Sequence, residues 1–337
     1  MSMPAKELLV HEDADSAPSI IFAYTLDGKG GAHPCDAEAI SAGHLPKSTY
    51  WVHLFLEDPE TQGWLEKYSE LDDTIIEALM QPDTRPRVNE SKDGALVIFR
   101  GMNLNDNAEP EDMVSVRLYV DKHRIISIRR RRLRAVHDVR EALVHGHGPN
   151  DTGEFVAMLS DFLCARIDPT LTTLHLQMDD AEEEVLLKPD AALRHNIIDI
   201  RKQAIIFHRY LAPQRDALAR LKTLNQLWIH DNDKRLLAES YDRMTRYVED
   251  LDAVRDRAQI VNDELSYALS DKLNRNTFIL STVSAIFLPL TFLTGLLGVN
   301  LHGIPHADSP MAFYVFCCLL AICAVVQVSY LRKLHWI

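Results

Sequence analysis

Two long stretches near the C-terminal end of the chain contain no charged residue. The first covers residues 277–297, and the second covers residues 311–331, where Gln327 is the most polar member. As α-helices, stretches of this length span about 30 Å, the thickness of the hydrocarbon core of a bilayer. Helices in soluble cores are rarely this long without a charge. The pattern therefore predicts two transmembrane helices joined by a short loop at residues 298–310.

The first of these spans carries a row of mostly small and polar residues at steps of three and four. The row consists of Asn274, Thr277, Ser281, Ser284, Leu288, Thr291 and Gly295. This spacing places the residues on one helix face, and polar groups facing lipid are costly. The face either packs closely against another helix or lines a water-filled pore. Two helices cannot enclose water, so the pore interpretation, which the pattern favours, requires several subunits.

Residues 233–272 contain neither Gly nor Pro, and their apolar residues alternate at steps of three and four as in a coiled coil. This helix is predicted to continue into the first span. It is either a stalk that holds a domain away from the membrane or a lever that links a sensor to a pore.

Residues 169–187 and 191–224 are also predicted helices. The acidic cluster at residues 179–184 is interpreted as a solvated face, with a cation site or a basic partner as alternatives.

The N-terminal third has a different sequence pattern, in which short segments rich in β-branched and aromatic residues alternate with turn signals. Strands are predicted at residues 19–24, 50–55, 95–102, 114–120 and 124–128, and helices at 59–68 and 72–80. The predicted fold is an α+β membrane protein with a mixed α/β cytosolic lobe at 1–160. A helical stalk domain at 161–275 and a transmembrane domain at 276–337 complete it.

The charges that flank the two spans predict their orientation. Lys272 and Arg275 precede the first span, Arg332 and Lys333 follow the second, and residues 298–310 contain no Lys or Arg. By the positive-inside rule both ends of the chain are cytoplasmic and the short loop lies outside. Residues 1–16 contain four acidic residues and no apolar segment, so we expect no signal peptide there.

The formal net charge of −13 argues against a nucleic-acid partner. It suits a domain that concentrates cations, or one that is acidic for solubility alone. The basic run at residues 129–132, with Arg124 and Arg134, is predicted to form salt bridges with the acidic helices rather than to bind phosphate. No Gly-rich phosphate loop, HExxH or GxSxG motif is found, so the chain is not expected to be an enzyme.

Candidate metal ligands in the sequence are few. The five cysteines form no CxxC pair, and three of them lie in the second apolar run, so they are expected to be reduced. His145 and His147 flank Gly146 and make a weak site. His302 and His306 fall in the short outer loop, where an oligomer would repeat them around an axis, and imidazole suits zinc.

The first span ends in Phe287-Leu-Pro-Leu-Thr-Phe-Leu-Thr-Gly-Leu-Leu-Gly-Val-Asn300. This resembles the CorA superfamily of divalent-cation transporters, whose signature at this place is Gly-Met-Asn. Here the middle residue is Val299. Gly-Val-Asn followed by Gly303-Ile-Pro305 resembles the zinc-associated ZntB branch, as do residues 84–88, 100–104 and 110–115. The resemblance covers essentially the whole chain.

The resemblance implies a homopentameric funnel in which five copies of the first span line the pore and the second spans form an outer ring. Gly298, Val299 and Asn300 would form the pore entrance. The amide oxygens of five Asn300 side chains could hydrogen-bond the water shell of a hydrated cation. Matching pore-facing positions are Asn274, Leu288, Thr291 and Gly295, and Asp263 corresponds to a position near the axis of the stalk, where it is a candidate metal ligand.

The function implied by the resemblance is uptake of Zn²⁺ across the bacterial inner membrane, coupled to protons. Mg²⁺, Co²⁺, Ni²⁺ and Cd²⁺ are further candidate ions, and no permanently bound cofactor is expected. The expected partners are other copies of the chain and membrane lipid. A Mg²⁺/Co²⁺ channel gated by cytosolic Mg²⁺ is the second interpretation, and a membrane anchor that transports nothing is the third.

Overall fold

The computed structural model of the protein describes residues 19–298 and 311–333. Its N-terminal part is built around one sheet of seven strands, in the order β2-β1-β3-β7-β6-β5-β4. The strands are β1 Ile20–Leu26, β2 Ala32–Pro34, β3 Tyr50–Phe55, β4 Arg87–Glu90, β5 Gly94–Gly101, β6 Val114–Asp121 and β7 Arg124–Arg129.

Neighbouring strands of the sheet are antiparallel except at its centre, where β3 and β7 run parallel. Their register pairs Tyr50 with Arg124 and Phe55 with Arg129. Since the carboxyl ends of parallel strands meet at the same edge of a sheet, the residues that follow β3 and β7 lie close together.

Eight helices accompany the sheet in the described part of the chain. They are α1 Ala37–Ser41, α2 Pro59–Tyr68, α3 Asp73–Met80, α4 Arg134–Val144, α5 Thr152–Leu187, α6 Leu193–Leu221, α7 Asp231–Leu297 and α8 Ala312–Lys333. Val52 and Leu54 of β3 share a buried core with residues of α1, α2 and α3. Alternation along the strand sends Trp51 and His53 to the opposite face. There the Trp51 ring contacts the ring of Phe155 in α5, with centroids 4.8 Å apart.

The five predicted strands and the helices at 59–68 and 72–80 are confirmed, each boundary falling within two residues of the prediction. The short strands β2 and β4 and the helices α1 and α4 were not predicted. The predicted start of a helix at residue 169 was wrong, because α5 begins at Thr152 and contains Pro169. Residues 155–167 bury Phe155, Leu159 and Leu163 completely or almost so, and this burial outweighs the hydrogen bond that the proline removes.

Helix α7 contains 67 residues and includes both the predicted coiled-coil segment and the first apolar span. The sequence prediction of one continuous helix is therefore confirmed. Its predicted apolar seam is buried at Leu237, Met244, Val248, Leu251, Val254, Ala258, Val261 and Leu265. The seam ends near residue 265, and most side chains beyond it are exposed within one protomer.

The described residues divide into two compact units. The first contains residues up to Leu187 together with Ala192–Asn262, and the second contains Lys188–Ala191 and the described residues from Asp263 onward. The division into three domains at residues 160 and 275 stays a prediction.

Candidate functional site

The apolar parts of α7 and α8 are exposed rather than packed into a core. Only 6% of the apolar window of α7, and none of that of α8, is buried within the protomer. Large side chains such as Phe287, Phe292 and Phe313 are each more than 60% exposed. A helix from a soluble core would be mostly buried. The two helices are therefore long, apolar and exposed enough to lie in a membrane.

The predicted polar face is present on the part of α7 that belongs to the second compact unit. Its seven positions, 274, 277, 281, 284, 288, 291 and 295, are all exposed in the protomer. At 3.6 residues per turn they fall within an arc of about 100°. One protomer therefore brings them together as a stripe but encloses none of them.

The C-terminal end of α7 is the end at which the predicted entrance lies. Gly298 follows the helix, and its backbone N–H donates to the carbonyl oxygen of Thr294 at 2.9 Å. The last carbonyl groups of a helix carry partial negative charge, which favours cations. Val299, Asn300, His302 and His306 lie outside the described residues. Asp263 is exposed on α7, in the same compact unit.

Gly298 and Gly295 differ in the room that they leave for a side chain. A Cβ atom at Gly298 would lie 2.8 Å from the carbonyl oxygen of Thr294, whereas a Cβ at Gly295 would meet nothing within 4 Å. We expect Gly298→Ala to lower the melting temperature of the detergent-purified full-length chain, because overpacking costs about 1–3 kcal/mol. Gly295→Ala is the matched control and is expected to leave it unchanged or raised. Equal melting temperatures would contradict this expectation.

Two polar atoms in the apolar helices have no hydrogen-bond partner among the described residues. Thr282 is only 7% exposed, and its Oγ1 has no hydrogen-bond partner among the described residues. The same is true of Oε1 of Gln327 on α8. In hydrocarbon no water is available to satisfy such atoms, which is costly. Partners from another copy of the chain would remove this cost.

Two carboxylates of the acidic cluster at residues 179–184 pair with a basic residue of α7. Arg257 of α7 donates to Asp179 at 2.8 Å and also to Glu182, so a basic partner is confirmed for these two carboxylates of α5. The hydrogen bonds that Arg257 donates to Glu182 and Asp179 raise the pKa of its guanidinium. The guanidinium thus joins α5 to α7.

The prediction that the basic run pairs with the acidic helices was wrong for Arg124 and Arg130. Arg124 pairs with Asp121, and Arg130 pairs with Glu57, both at 2.6 Å. Both carboxylates belong to the sheet and its loops. The charges of these two residues are therefore compensated within the α/β part of the unit.

A group of potential metal ligands lies on α4, in a place that the sequence did not suggest. Donor atoms of His137, Asp138 and Glu141 lie within 4.8 Å of one another. Asp138, however, accepts two hydrogen bonds from Arg166, at 2.7 and 3.0 Å. A metal would have to displace this pair. His145 and His147, weak candidates in the sequence, use Nδ1 for bonds to the carbonyl oxygens of Glu141 and His145.

Comparison with protein families gives one match that covers most of the chain. Residues 46–333 match the model of the family described as CorA-like Mg²⁺ transporter protein. The zinc transport protein ZntB of Pectobacterium carotovorum is 36% identical over 317 residues, which is 94% of this chain and 96% of that protein. The divalent cation transporter CmaX of Pseudomonas aeruginosa is 36% identical over 321 residues, 94% of this chain and 97% of that protein.

A solved structure agrees with these sequence matches. The structure of full-length CmaX superposes with a TM-score of 0.82 at 34% sequence identity. The match covers 96% of this chain and all of that one. The likeness therefore includes both the α/β part with its long helix and the two apolar helices.

Proposed function

The chain belongs to the CorA-like Mg²⁺ transporter family, and on that basis we propose that it is a homopentameric transporter that moves Zn²⁺ through a central pore. Divalent-cation transport is the activity of the family. The choice of zinc is supported by the 36% identity to zinc transport protein ZntB over nearly the whole chain. The ion is the cargo of the protein, and no bound cofactor is part of the proposal.

The observation that carries the proposal is the exposed polar stripe on α7. Seven mostly small or polar positions at helical spacing share one exposed face of α7. Two spans from one chain cannot enclose them, whereas several copies of α7 around an axis can. The stripe would then face water, and the apolar side chains of α7 and α8 would face lipid or each other. A membrane anchor that transports nothing would not require a polar stripe.

Gly298, Val299 and Asn300 would surround the outer mouth of this pore, and His302 and His306 would lie in the loop beside it. The negative end of α7 favours a cation at that place. Carbonyl and amide oxygens can hold a hydrated divalent ion without removing its water shell. Asp263 would extend the cation path on the cytoplasmic side. Both ends of each chain would lie in the cytoplasm of a bacterium whose inner membrane holds the pentamer.

Coupling to protons is the part of the proposal that the membrane helices support least. Residues 277–297 and 311–331 contain no Asp, Glu or His that could carry a proton. A coupled mechanism must therefore use titratable groups at the ends of the spans, such as His302 and His306. Otherwise the protons must be carried by the water molecules that hydrate the ion. A Mg²⁺/Co²⁺ channel remains the second candidate, supported by the description of the matching family.

Flux measurements in liposomes test these alternatives. The full-length protein is reconstituted with Zn²⁺- or Mg²⁺-sensitive dye inside, the membrane voltage is clamped with K⁺ and valinomycin, and uptake is followed with and without an inward proton gradient. Protein-free liposomes are the control. We expect Zn²⁺ uptake to exceed Mg²⁺ uptake and to rise with the gradient.

Each other outcome contradicts a defined part of the proposal. If zinc uptake is the same with and without the proton gradient, transport is not coupled to protons. If Mg²⁺ uptake is faster than Zn²⁺ uptake, the result supports the Mg²⁺/Co²⁺ channel. If neither metal enters, the protein is not a transporter of these ions, and the anchor becomes the better interpretation.

A further inference from the structure

Tyr267 of α7 lies one helical repeat before the polar stripe. Four members of the stripe recur every seven residues, namely Asn274, Ser281, Leu288 and Gly295. Tyr267 precedes Asn274 by the same interval. Seven residues are nearly two full turns of an α-helix, so residues seven positions apart differ in direction by only about 20°. Tyr267 therefore lies on the same side of α7 as the stripe, and both belong to the second compact unit.

The side chain of Tyr267 is largely exposed within one protomer. It is 77% exposed, whereas the side chain of Leu265 is completely buried. The two residues are two positions apart and so point to nearly opposite sides of the helix. The protomer thus covers the Leu265 side of α7 and leaves the Tyr267 side open. If several copies of α7 surround an axis as proposed, the aromatic ring faces the space between them.

Tyr267 is larger than the residues that follow it on this side of α7. The remaining members of the stripe, Thr277, Ser284 and Thr291, also recur every seven residues, and this row extends backwards to Ser270 and Asp263. From residue 270 to residue 284 the two rows contain only small or polar side chains, namely Ser270, Asn274, Thr277, Ser281 and Ser284. An aromatic ring therefore separates the carboxylate of Asp263 from this polar segment.

The position of Tyr267 along α7 is just outside the first apolar span. It precedes residue 277, where the span begins, by ten residues, which is about 15 Å of helix. Lys272 and Arg275 lie between them, and these charges mark the predicted cytoplasmic boundary of the span. In the proposed pore Tyr267 therefore lies at the cytoplasmic end.

Five tyrosines at one level of such a pore would fill its centre. Packed helices are about 8–10 Å apart, so the axes of five helices in a ring lie about 7–8.5 Å from the pore axis. Because a Cα atom is about 2.3 Å from its own helix axis, inward-facing Cα atoms lie about 4.5–6 Å from the pore axis. A serine side chain leaves this space open to water, whereas a tyrosine side chain is long enough to reach the axis.

We propose that the five Tyr267 side chains form a constriction at the cytoplasmic end of the pore that limits the rate of cation passage. This inference rests on the proposed function, because only a pore made from several copies of α7 has such an axis. Aromatic rings cannot replace the hydrogen bonds of the water shell around the ion, so the ion passes only when the rings turn aside. The bulk of the ring, rather than the hydroxyl group, sets this barrier.

Zn²⁺ uptake into dye-loaded liposomes tests the constriction. Tyr267→Ala removes the rings and is expected to raise the uptake rate at least about three-fold, because the narrowest apolar point is widened. Tyr267→Phe keeps the rings and is expected to transport at the wild-type rate. Tyr330→Ala is the matched control, since it removes a tyrosine that is 63% exposed from α8, and it is also expected to match the wild type. Light scattering after gel filtration verifies the oligomer in each variant.

Disulfide cross-linking tests the position of Tyr267 independently of flux. In the ring described above, neighbouring inward-facing Cα atoms are about 5–7 Å apart, which is within reach of a disulfide. Oxidation of Tyr267→Cys with copper phenanthroline, in the full-length protein in detergent, is expected to link subunits beyond the background from the native cysteines of the wild type. Ala268→Cys is the control, because residue 268 lies about 100° further around the helix. It is expected to give only that background.

The possible contrary results separate this inference from the proposed function. If the wild type transports zinc and Tyr267→Ala transports no faster, or loses the oligomer, the constriction is refuted and the transporter is not. If Tyr267→Cys cross-links no more than Ala268→Cys, Tyr267 does not face the axis. If the wild type transports neither Zn²⁺ nor Mg²⁺, the proposed function fails and the constriction fails with it.

Discussion

Replacing Asn300 by alanine is expected to reduce zinc uptake about ten-fold or more while the oligomer persists. In the proposed pentamer five side-chain amides surround the outer mouth, and their oxygens accept hydrogen bonds from the water shell of the ion. A net loss of about 1.4 kcal/mol is already a ten-fold effect, and one hydrogen bond contributes about 0.5–1.5 kcal/mol. Alanine removes five of them at once. Dye-loaded liposomes report the uptake, and light scattering after gel filtration reports the oligomer.

Two further substitutions sharpen this experiment. Asn196→Ala, at an exposed position of α6, removes the same amide outside the two apolar helices and is expected to leave uptake unchanged. Asn300→Asp keeps the acceptor oxygens and adds charge, so the ion should still bind at the mouth but leave it more slowly. If Asn300→Ala transports zinc at the wild-type rate, Asn300 does not belong to the entrance.

The elements that the sequence predicted well are those whose signal is local. The apolar seam from Leu237 to Leu265 repeats every three or four residues, and the spans contain no charge over 21 positions, so neither prediction depends on what the helices touch. Strands such as β3 and β7 were located to within one residue, because β-branched and aromatic residues end at turn signals. The start of α5 was missed because a proline normally ends a helix, and only burial against the sheet shows why it does not here.

The pairing at the centre of the sheet could not be predicted from the sequence. His53 and Ser127 are 74 positions apart in the chain, and they meet because β3 pairs with β7 in parallel. No local pattern encodes that pairing. The same holds for Arg257, which meets Asp179 across 78 positions. The basic run was visible in the sequence, but its partners were not, because they depend on which strands become neighbours.

The predicted pore stays a prediction for a different physical reason. Its predicted lining residues form a stripe along α7, but one chain supplies only one side of the path. Oγ1 of Thr282 and Oε1 of Gln327 have no hydrogen-bond partner in the part of the chain that the structure describes, which also indicates that other copies of the chain contribute contacts. A site formed by repetition around an axis is specified by how copies assemble, and experiments on the stripe must therefore read out both flux and assembly.

Ser284→Leu on the polar stripe is expected to reduce zinc uptake by about ten-fold or more. Ser284 is exposed in the protomer and lies between Ser281 and Leu288 on the stripe. In a pentamer the change places five leucine side chains around the path. It removes five hydroxyls that could hydrogen-bond water and narrows the passage, and an apolar constriction excludes water from a pore. The readout is Zn²⁺ uptake into dye-loaded liposomes.

Val283→Leu is the matched control, because it enlarges the preceding side chain, which lies about 100° around α7 from Ser284 and outside the stripe, where Val283 is 45% exposed. It is expected to transport like the wild type. If both variants form pentamers and lose uptake to the same extent, the stripe does not line the pore differently from the rest of α7. Helix packing would then explain its small residues better. Should Ser284→Leu lose the pentamer instead, Ser284 would lie in a contact between subunits. Only loss of uptake in an intact pentamer, with Val283→Leu unaffected, places the pore along this face of α7.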